Sequence, residues 1–343
     1  MKNSNPQRRY WVGLIWIVGL LALVGCAHVA PPPQALNETR LLLEFFESER
    51  NYINDSPPFV MGAQVLRTNL LTKPRQQYLI DIRLPEDFAK GYIRGAVNVA
   101  FKDVYTHVKG LDAASYENIV LIDCDGQAAA YAVSLLRAAG YPNTVSLKWG
   151  MSAWSIAFAD AAWLKKLSNV RAAEFVTTPS PPKRPAGALP QISTGKTSVG
   201  EILEARLQRL FEEGYGPVPV SHDYVFTNLH QKVDLYIINH WTPELYVTQG
   251  HIPGAVNYSP AEKPFQSTTY LTTLSTTAPN VIYCFTGQTS SYISGYLRIL
   301  GYDARSLQFG ANSMIYERMR DNKVPNTFVP ATEIMNYEYV GGR

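Results

Sequence analysis

The chain has 343 residues, enough for two ordinary domains. Its 31 basic residues exceed its 28 acidic ones by three, and Lys2, Arg8 and Arg9 all lie in the first 25 residues, which carry no acidic group. The remainder is balanced and has no basic cluster, which excludes a nucleic-acid partner.

Lys2, Arg8 and Arg9 open a leader whose apolar stretch, Tyr10 to Val24, is shorter than the ~20 residues a membrane span needs. It closes on Leu23-Val24-Gly25-Cys26, which resembles a lipobox. The resemblance implies a signal peptide over 1–25 and cleavage before Cys26. It also implies a diacylglyceryl group on the Cys26 thiol, with palmitate as acyl chain. Several acyl chains anchor stably where one is marginal. Ala27 in place of Asp resembles an outer-membrane address. The expected location is therefore the cell envelope, lipid-anchored, on the periplasmic face of the outer membrane if the host is Gram-negative. A plain signal peptide that happens to contain a cysteine is the other reading.

Residues 26–56 are predicted to be a tether and a helix. His28 to Gln34 carries three consecutive prolines and reads as stiff. Leu36 to Tyr52 places Leu41, Leu42, Phe45 and Phe46 on one stripe against Glu38, Glu44, Glu47 and Glu49. An acidic polar face argues against lipid, so this helix is expected to pack on the first domain.

The first domain is predicted over 57–176. Strands are expected at Tyr78–Ile82 and Ile119–Ile122, with a short helix at Glu86–Lys90 between them. Residues 177–217 read as a proline-rich linker followed by a bracing helix at Val199–Phe211. Gly195-Lys196-Thr197 looks like the end of a phosphate loop, but the required first glycine is Pro190, so the motif fails. The second domain is predicted over 218–343, with a strand at Tyr236–Ile238. It also carries the stretch N-V-I-Y-C-F-T-G-Q-T-S-S-Y-I-S-G-Y-L-R-I-L-G at Asn280 to Gly301. There Val281 to Tyr283 read as a buried strand. Ile293, Tyr296, Leu297 and Leu300 read as a helix face, closed by Gly301.

That stretch has a counterpart, N-I-V-L-I-D-C-D-G-Q-A-A-A-Y-A-V-S-L-L-R-A-A-G, at Asn118 to Gly140. Gly126 aligns with Gly287, and Gly140 with Gly301, at an offset of 161. G-Y-I-R-G-A-V-N at Gly91 aligns with G-H-I-P-G-A-V-N at Gly250 at 159, and Gly150 with Gly310 at 160. Landmarks at nearly constant offset mean a duplicated domain.

D-I-R-L-P-E-D-F-A-K-G-Y-I-R-G-A-V-N at Asp81 resembles the first motif of rhodanese-like domains, and C-F-T-G-Q-T at Cys284 resembles their active-site loop. The resemblance implies an α/β fold of two tandem domains, each a parallel sheet flanked by helices. The catalytic loop would follow a strand C-terminus, where open α/β sheets bind ligands. It implies sulfurtransferase chemistry, with Cys284 as the catalytic nucleophile that takes sulfane sulfur from a thiosulfate-like donor. Cys284 would hold that sulfur as a persulfide and pass it to a thiol acceptor. It further implies that Asp81 and Arg83 support the domain rather than perform chemistry. Asn239 and Trp241 stand in their places in copy two.

Physically, a cysteine at a strand end, below a helix N-terminus, meets dipoles that favour a sulfur anion. Phe285, Thr286, Gly287, Gln288, Thr289 and Ser290 are expected to bind substrate through backbone N–H groups, with Gly287 at positive φ. In copy one the aligned position is Asp123, and Cys124 falls one place late. Asp123, Cys124 and Gly126 are therefore expected to form a degenerate, inactive site. A one-residue slip turns the thiol away, and two flanking carboxylates oppose a thiolate. The Cys124 and Cys284 loops are not expected to face one another, so no disulfide is expected between them.

A cysteine phosphatase would need arginine where Ser290 stands, and six scattered histidines give no metal-ligand pattern. No cofactor and no metal are expected. The expected partners are the sulfur donor, the thiol acceptor, the membrane through Cys26, and an envelope protein. The competing expectation is a non-catalytic lipoprotein that uses the same fold as a protein-binding or scaffold module. It draws on the departures at Asp123, Asn239 and Trp241.

Overall fold

In the computed structural model, which describes residues 37–55 and 58–341, the apolar runs pair into two five-stranded, all-parallel sheets. The first holds β1 (Val60–Met61), β2 (Gln77–Asp81), β3 (Val97–Asn98), β4 (Asn118–Ile122) and β5 (Thr144–Leu147), in the order β1-β5-β4-β2-β3. The second holds β6 (Pro219–Val220), β7 (Tyr236–Asn239), β8 (Val256–Asn257), β9 (Asn280–Tyr283) and β10 (Ala304–Leu307), in the order β6-β10-β9-β7-β8. The order is the same in both, as a duplication requires. β4 and β9 are central and covered on both faces, which is why they read as unbroken apolar runs. The leader, Cys26 and the proline tether lie outside the described residues. Among the described residues, no helix is long and apolar enough to cross a membrane.

The helices that position the loops also come in pairs. They are α1 (Glu38–Glu49), α2 (Ala63–Thr72), α3 (Pro85–Lys90), α4 (Gln127–Ala139), α5 (Ile156–Ala162), α6 (Val199–Glu213), α7 (His222–His230), α8 (Pro243–Thr248), α9 (Gln288–Ile299) and α10 (Tyr316–Asp321). α4 and α9 each start on a glycine at positive φ, Gly126 and Gly287. They pack against one another so closely that a Cβ on Gly295 would lie 2.6 Å from Ser134, its own counterpart in the repeat. The two modules therefore meet about an internal pseudo-twofold axis.

The segments that follow α5 and α10 are exchanged across that axis. After the first module, Ser168 N–H donates to Asn312 O, Arg171 N–H to Met314 O, and Val176 bridges His251. Phe175 joins the apolar core of the second module. Reciprocally, Met335 N–H donates to Ala153 O, Tyr337 N–H to Trp154 O, and Val340 bridges Tyr92. Phe328 and Ile334 join the core of the first module. The described residues from 37 onwards form one compact unit.

α6 starts on a capping box, with Ser198 Oγ accepting from Glu201 N–H and donating to the Glu201 carboxylate. It braces both modules, as its amphipathic pattern predicts. Glu204 accepts from Tyr105 and Lys109 of the first module, and Arg206 donates to Ile299 O of the second. α1 departs from expectation. It packs on α6 and on the second module, with Thr39 donating to Leu300 O, Phe46 packed on Tyr296, and Glu47 accepting from Ser267. The turn after it reaches the first module, through Arg50 to Ala138 O and Tyr52 to Ser134. Its apolar stripe fits the groove beside α9, which chain adjacency could not foretell.

Candidate active site

Sheet register places the two candidate loops at one position. Asp81 pairs with Ile122 and Asn98, and Asn239 pairs with Tyr283 and Asn257. The next residues after Ile122 and Tyr283 are Asp123 and Cys284. Each follows its strand into a turn closed by a positive-φ glycine.

Cys284 is 4% exposed. Its Sγ accepts from Gly287 N–H at 3.2 Å and Thr286 N–H at 3.4 Å, and the Thr286 and Ser290 hydroxyls each stand 3.7 Å from it. Both N–H groups lie at the start of α9, where backbone dipoles favour negative charge. Behind them is a buried hydroxyl cluster. Ser290 contacts Ser306 at 2.7 Å, Ser291 donates to Gly287 O, and Tyr215 contacts Ser291. The first module has Ala129 and Ala130 where Ser290 and Ser291 stand, so this cluster belongs to the second module alone.

The expected cradle is corrected in part. Thr286, Gly287 and Ser290 reach the sulfur, whereas the N–H groups of Phe285, Gln288 and Thr289 do not. Gln288 N–H is taken by Thr286 Oγ1, which caps the helix. The Phe285 ring stacks on Trp241 at 4.5 Å, and the Gln288 side chain crosses to the other module. Thr289 lines a separate cavity of about 260 Å³ with His240, Phe59 and Tyr292. Burial holds His240 down, to about 4, and its Nδ1–H donates to Tyr258 O.

In the first module the carboxylate of Asp123 fills the same cradle. It accepts from Gly126 N–H at 2.5 Å, Ala128 N–H at 2.8 Å and Ala129 N–H at 3.2 Å. Asp125 accepts from Gln127 N–H, the capping role that Thr286 has in the second module. Burial first, then the Asp125 carboxylate, push Asp123 up to about 8, against the pull of its three N–H donors. Cys124 points away into an open cleft and is exposed. Partial burial of its thiol and the Asp123 and Asp125 carboxylates push it up to about 12. Given its exposure, the two carboxylates are the weightier cause.

A buried carboxylate raised in this way ties stability to pH. The folded chain keeps a proton that the unfolded chain releases above its ordinary value of 3.8, so stability is fully present below about 4 and falls as pH rises towards about 8. The slope is at most about 1.4 kcal/mol per pH unit. Asp125→Asn removes the neighbouring charge and should flatten it. Thermal midpoints of both chains at pH 5, 6.5 and 8 check this, and parallel curves would refute it.

The two loops abut, contrary to expectation. Gln127 Oε1 accepts from Phe309 N–H at 2.9 Å, and Gln288 Oε1 accepts from Trp149 N–H at 3.3 Å. Gln288 Nε2 donates to Gly126 O. Both glutamines follow the loop glycine, and a Cβ on either glycine would collide with the opposite glutamine at 2.1 Å. Phe309 and Trp149 precede Gly310 and Gly150, which press against the two loops, and Ala311 N–H donates to Cys284 O. Each module therefore holds part of the other's loop. Both thiols are nevertheless free. The repeated Gly-Gln pair was the sequence signal for this contact.

Support of the second loop is rebuilt rather than lost. In the first module Arg83 clasps Asp81 with Nη2 2.6 Å from Oδ2, and also donates to Gly91 O. In the second, Asn239 accepts from Asn257, and Arg318 on α10 donates to Gln249 O and Ala172 O. Arg318 occupies the repeat position of Phe158, so one guanidinium serves this turn in each module from a different element. Sequence alignment alone gave no hint of the exchange. Among the described residues there is no cluster of potential metal ligands.

Residues 63–157 match the family described as the rhodanese-like domain. That stretch of the chain is similar to a rhodanese-like domain. Solved structures similar to parts of the chain include a rhodanese-like domain protein from Staphylococcus aureus, 26% identical over 28% of this chain and 90% of that one, with a TM-score of 0.25. The Alr3790 protein from Anabaena sp. is 26% identical over 27% of this chain and 73% of that one, with a TM-score of 0.26. A thiosulfate sulfurtransferase from Pseudomonas aeruginosa is 17% identical over 78% of this chain and 45% of that one, with a TM-score of 0.29. No curated protein matches the chain. The matched rhodanese-like domain is the module whose cradle holds Asp123, and the candidate nucleophile belongs to its counterpart.

Proposed function

We propose that the protein is a sulfurtransferase whose second module, also rhodanese-like, carries sulfur as a persulfide on Cys284. The observation that carries this reading is the pair of cradles. Cys284 Sγ accepts two N–H bonds beneath α9, and the matching cradle of the first module holds the carboxyl oxygens of Asp123 on three. A carboxylate oxygen sits two bonds beyond Cβ, as the outer sulfur of a persulfide does. Asp123 Oδ2, bonded by Ala128 and Ala129, marks where that outer sulfur would receive the N–H groups of Thr289 and Ser290. These two would thus serve the loaded state.

The Cys284 thiolate would attack the sulfane sulfur of a thiosulfate-like donor. The new S–S bond forms on Cys284, the donor's S–S bond breaks, and sulfite leaves with the bonding pair. An acceptor thiolate then attacks the outer sulfur and regenerates the Cys284 thiolate. No cofactor is needed. The Cys26 motif supports an envelope location with a lipid anchor, and a thiol acceptor or protein partner there.

A second reading is a non-catalytic binding module in the envelope. The 4% exposure of Cys284 and the carboxylate in the first cradle favour it. Intact mass of residues 28–343, reduced and then treated with thiosulfate, separates the two. The proposed function requires a gain of one sulfur, lost in Cys284→Ser and kept in Cys124→Ser. No gain on Cys284 would leave the binding module as the better account.

A further inference from the structure

We infer that Phe285 and Trp241 determine which donors reach Cys284, because together they fill the cleft through which a sulfane-sulfur compound must approach. This rests on the reading of Cys284 as a sulfur carrier, but its geometric part stands alone. The duplication supplies an internal comparison. In the first module a cleft of about 530 Å³ opens beside the Asp123 cradle, lined by Arg83, Cys124 and Phe158 among others. The repeat positions of Arg83 and Cys124 are Trp241 and Phe285. Those two rings stack at 4.5 Å and 8° between planes, and Trp241 also meets Tyr283 edge-on at 5.4 Å. Trp241 is 1% exposed and Phe285 half-buried, so the outer ring covers the inner.

The chemistry of Trp241 points the same way. Its indole N–H is buried with no hydrogen-bond partner. The residue it replaces, Arg83, spends its donors on Asp81 and Gly91 O. A buried donor left unpaired costs stability, so such a group needs an explanation. Arg318 already serves the turn that Arg83 serves in the first module. That relieves Trp241 of the polar task of Arg83: its ring belongs to the apolar core of the second module and, stacked under Phe285, forms a wall. The first module therefore has an open cleft and no thiol in its cradle, while the second has the thiol and a closed cleft. Access, rather than the cradle, sets the rate of sulfur uptake and the size of donor that enters.

The test measures access and chemistry separately on the full chain. Iodoacetamide alkylates a cysteine by forming an S–C bond and releasing iodide, and the peptide containing Cys284 reports the rate. Phe285→Ala should alkylate about tenfold faster than the parent and Phe285→Trp more slowly, because thiol reactivity follows exposure. Trp241→Ala should act like Phe285→Ala. It removes a fully buried ring, so its melting temperature is compared with the parent's, and Phe285→Ala carries the conclusion if Trp241→Ala does not fold. Thiosulfate and a bulkier organic persulfide, glutathione persulfide, are then offered as donors. Faster loading in Phe285→Ala, with the larger gain for the bulkier donor, is expected. Alkylation at the parental rate in Phe285→Ala overturns the inference. Faster alkylation with no sulfur loading from either donor leaves the wall in place and refutes the sulfur-carrier reading.

Discussion

Asp123→Cys combined with Asp125→Thr is expected to give the first module a thiol that takes up one sulfur, in a chain where Cys284→Ser has silenced the second. The cradle there is already formed. Gly126, Ala128 and Ala129 present their N–H groups to the position 123 side chain, and α4 stands above it as α9 stands above Cys284. The cleft beside it is open. Asp125→Thr is needed because a carboxylate beside the thiol opposes thiolate formation, while threonine keeps a hydroxyl to cap Gln127 N–H as Thr286 caps Gln288 N–H. Asp123→Cys alone should therefore load more slowly than the pair. Mass analysis after thiosulfate treatment, in a Cys124→Ser background, reads the result. If neither form gains sulfur, a cradle of N–H groups below a helix is not sufficient here. The buried hydroxyl cluster of Ser290, Ser291 and Ser306, absent from the first module, becomes the next candidate.

The parts of this molecule that follow from local rules could be read from the sequence. Strand ends, the Gly126 and Gly287 turns, and the register that puts Asp123 rather than Cys124 in the cradle all depend on alternation and spacing over a few residues. So did the Asp81 and Arg83 pair. The parts that depend on how the two copies meet could not. The exchange of chain after α5 and α10 leaves no periodic trace, since those segments are irregular and their partners lie far along the chain. α1 carries an apolar stripe that fits more than one groove. Arg318 replaces Arg83 in space from another element, so aligning the copies shows only an arginine lost and a tryptophan gained. Gln127 and Gln288 could have been noticed, because a buried-side glutamine recurring after the loop glycine serves no purpose within its own helix. The filled cleft was the least accessible. Phe285 reads as one backbone donor of the cradle until the ring of Trp241 is found beneath it.

Arg83→Ala is expected to destabilise the chain by about 3–5 kcal/mol, because it leaves a buried carboxylate without its partner. The side chains of Asp81 and Arg83 are 0% and 3% exposed, and among the described residues no other cation pairs with Asp81. The chain contains its own control. Asp303 and Arg305 have the same spacing and pair at 3.0 Å, but in an exposed setting, 45% and 29%, where water screens both charges. Arg305→Ala should cost no more than about 1 kcal/mol. Replacing both members of the buried pair, as Asp81→Asn with Arg83→Leu, should recover much of the loss, since the charge that needed a partner is then gone. Melting followed by circular dichroism and by tryptophan fluorescence tests these costs and also the exchange of segments. Phe328 and Ile334 of the second module complete the core of the first, and Phe175 of the first completes the core of the second. Neither core can open without the other, so Arg83→Ala should lower a single shared transition. Two transitions, with only one moved by the substitution, would mean that the modules hold together less tightly than their exchanged segments require.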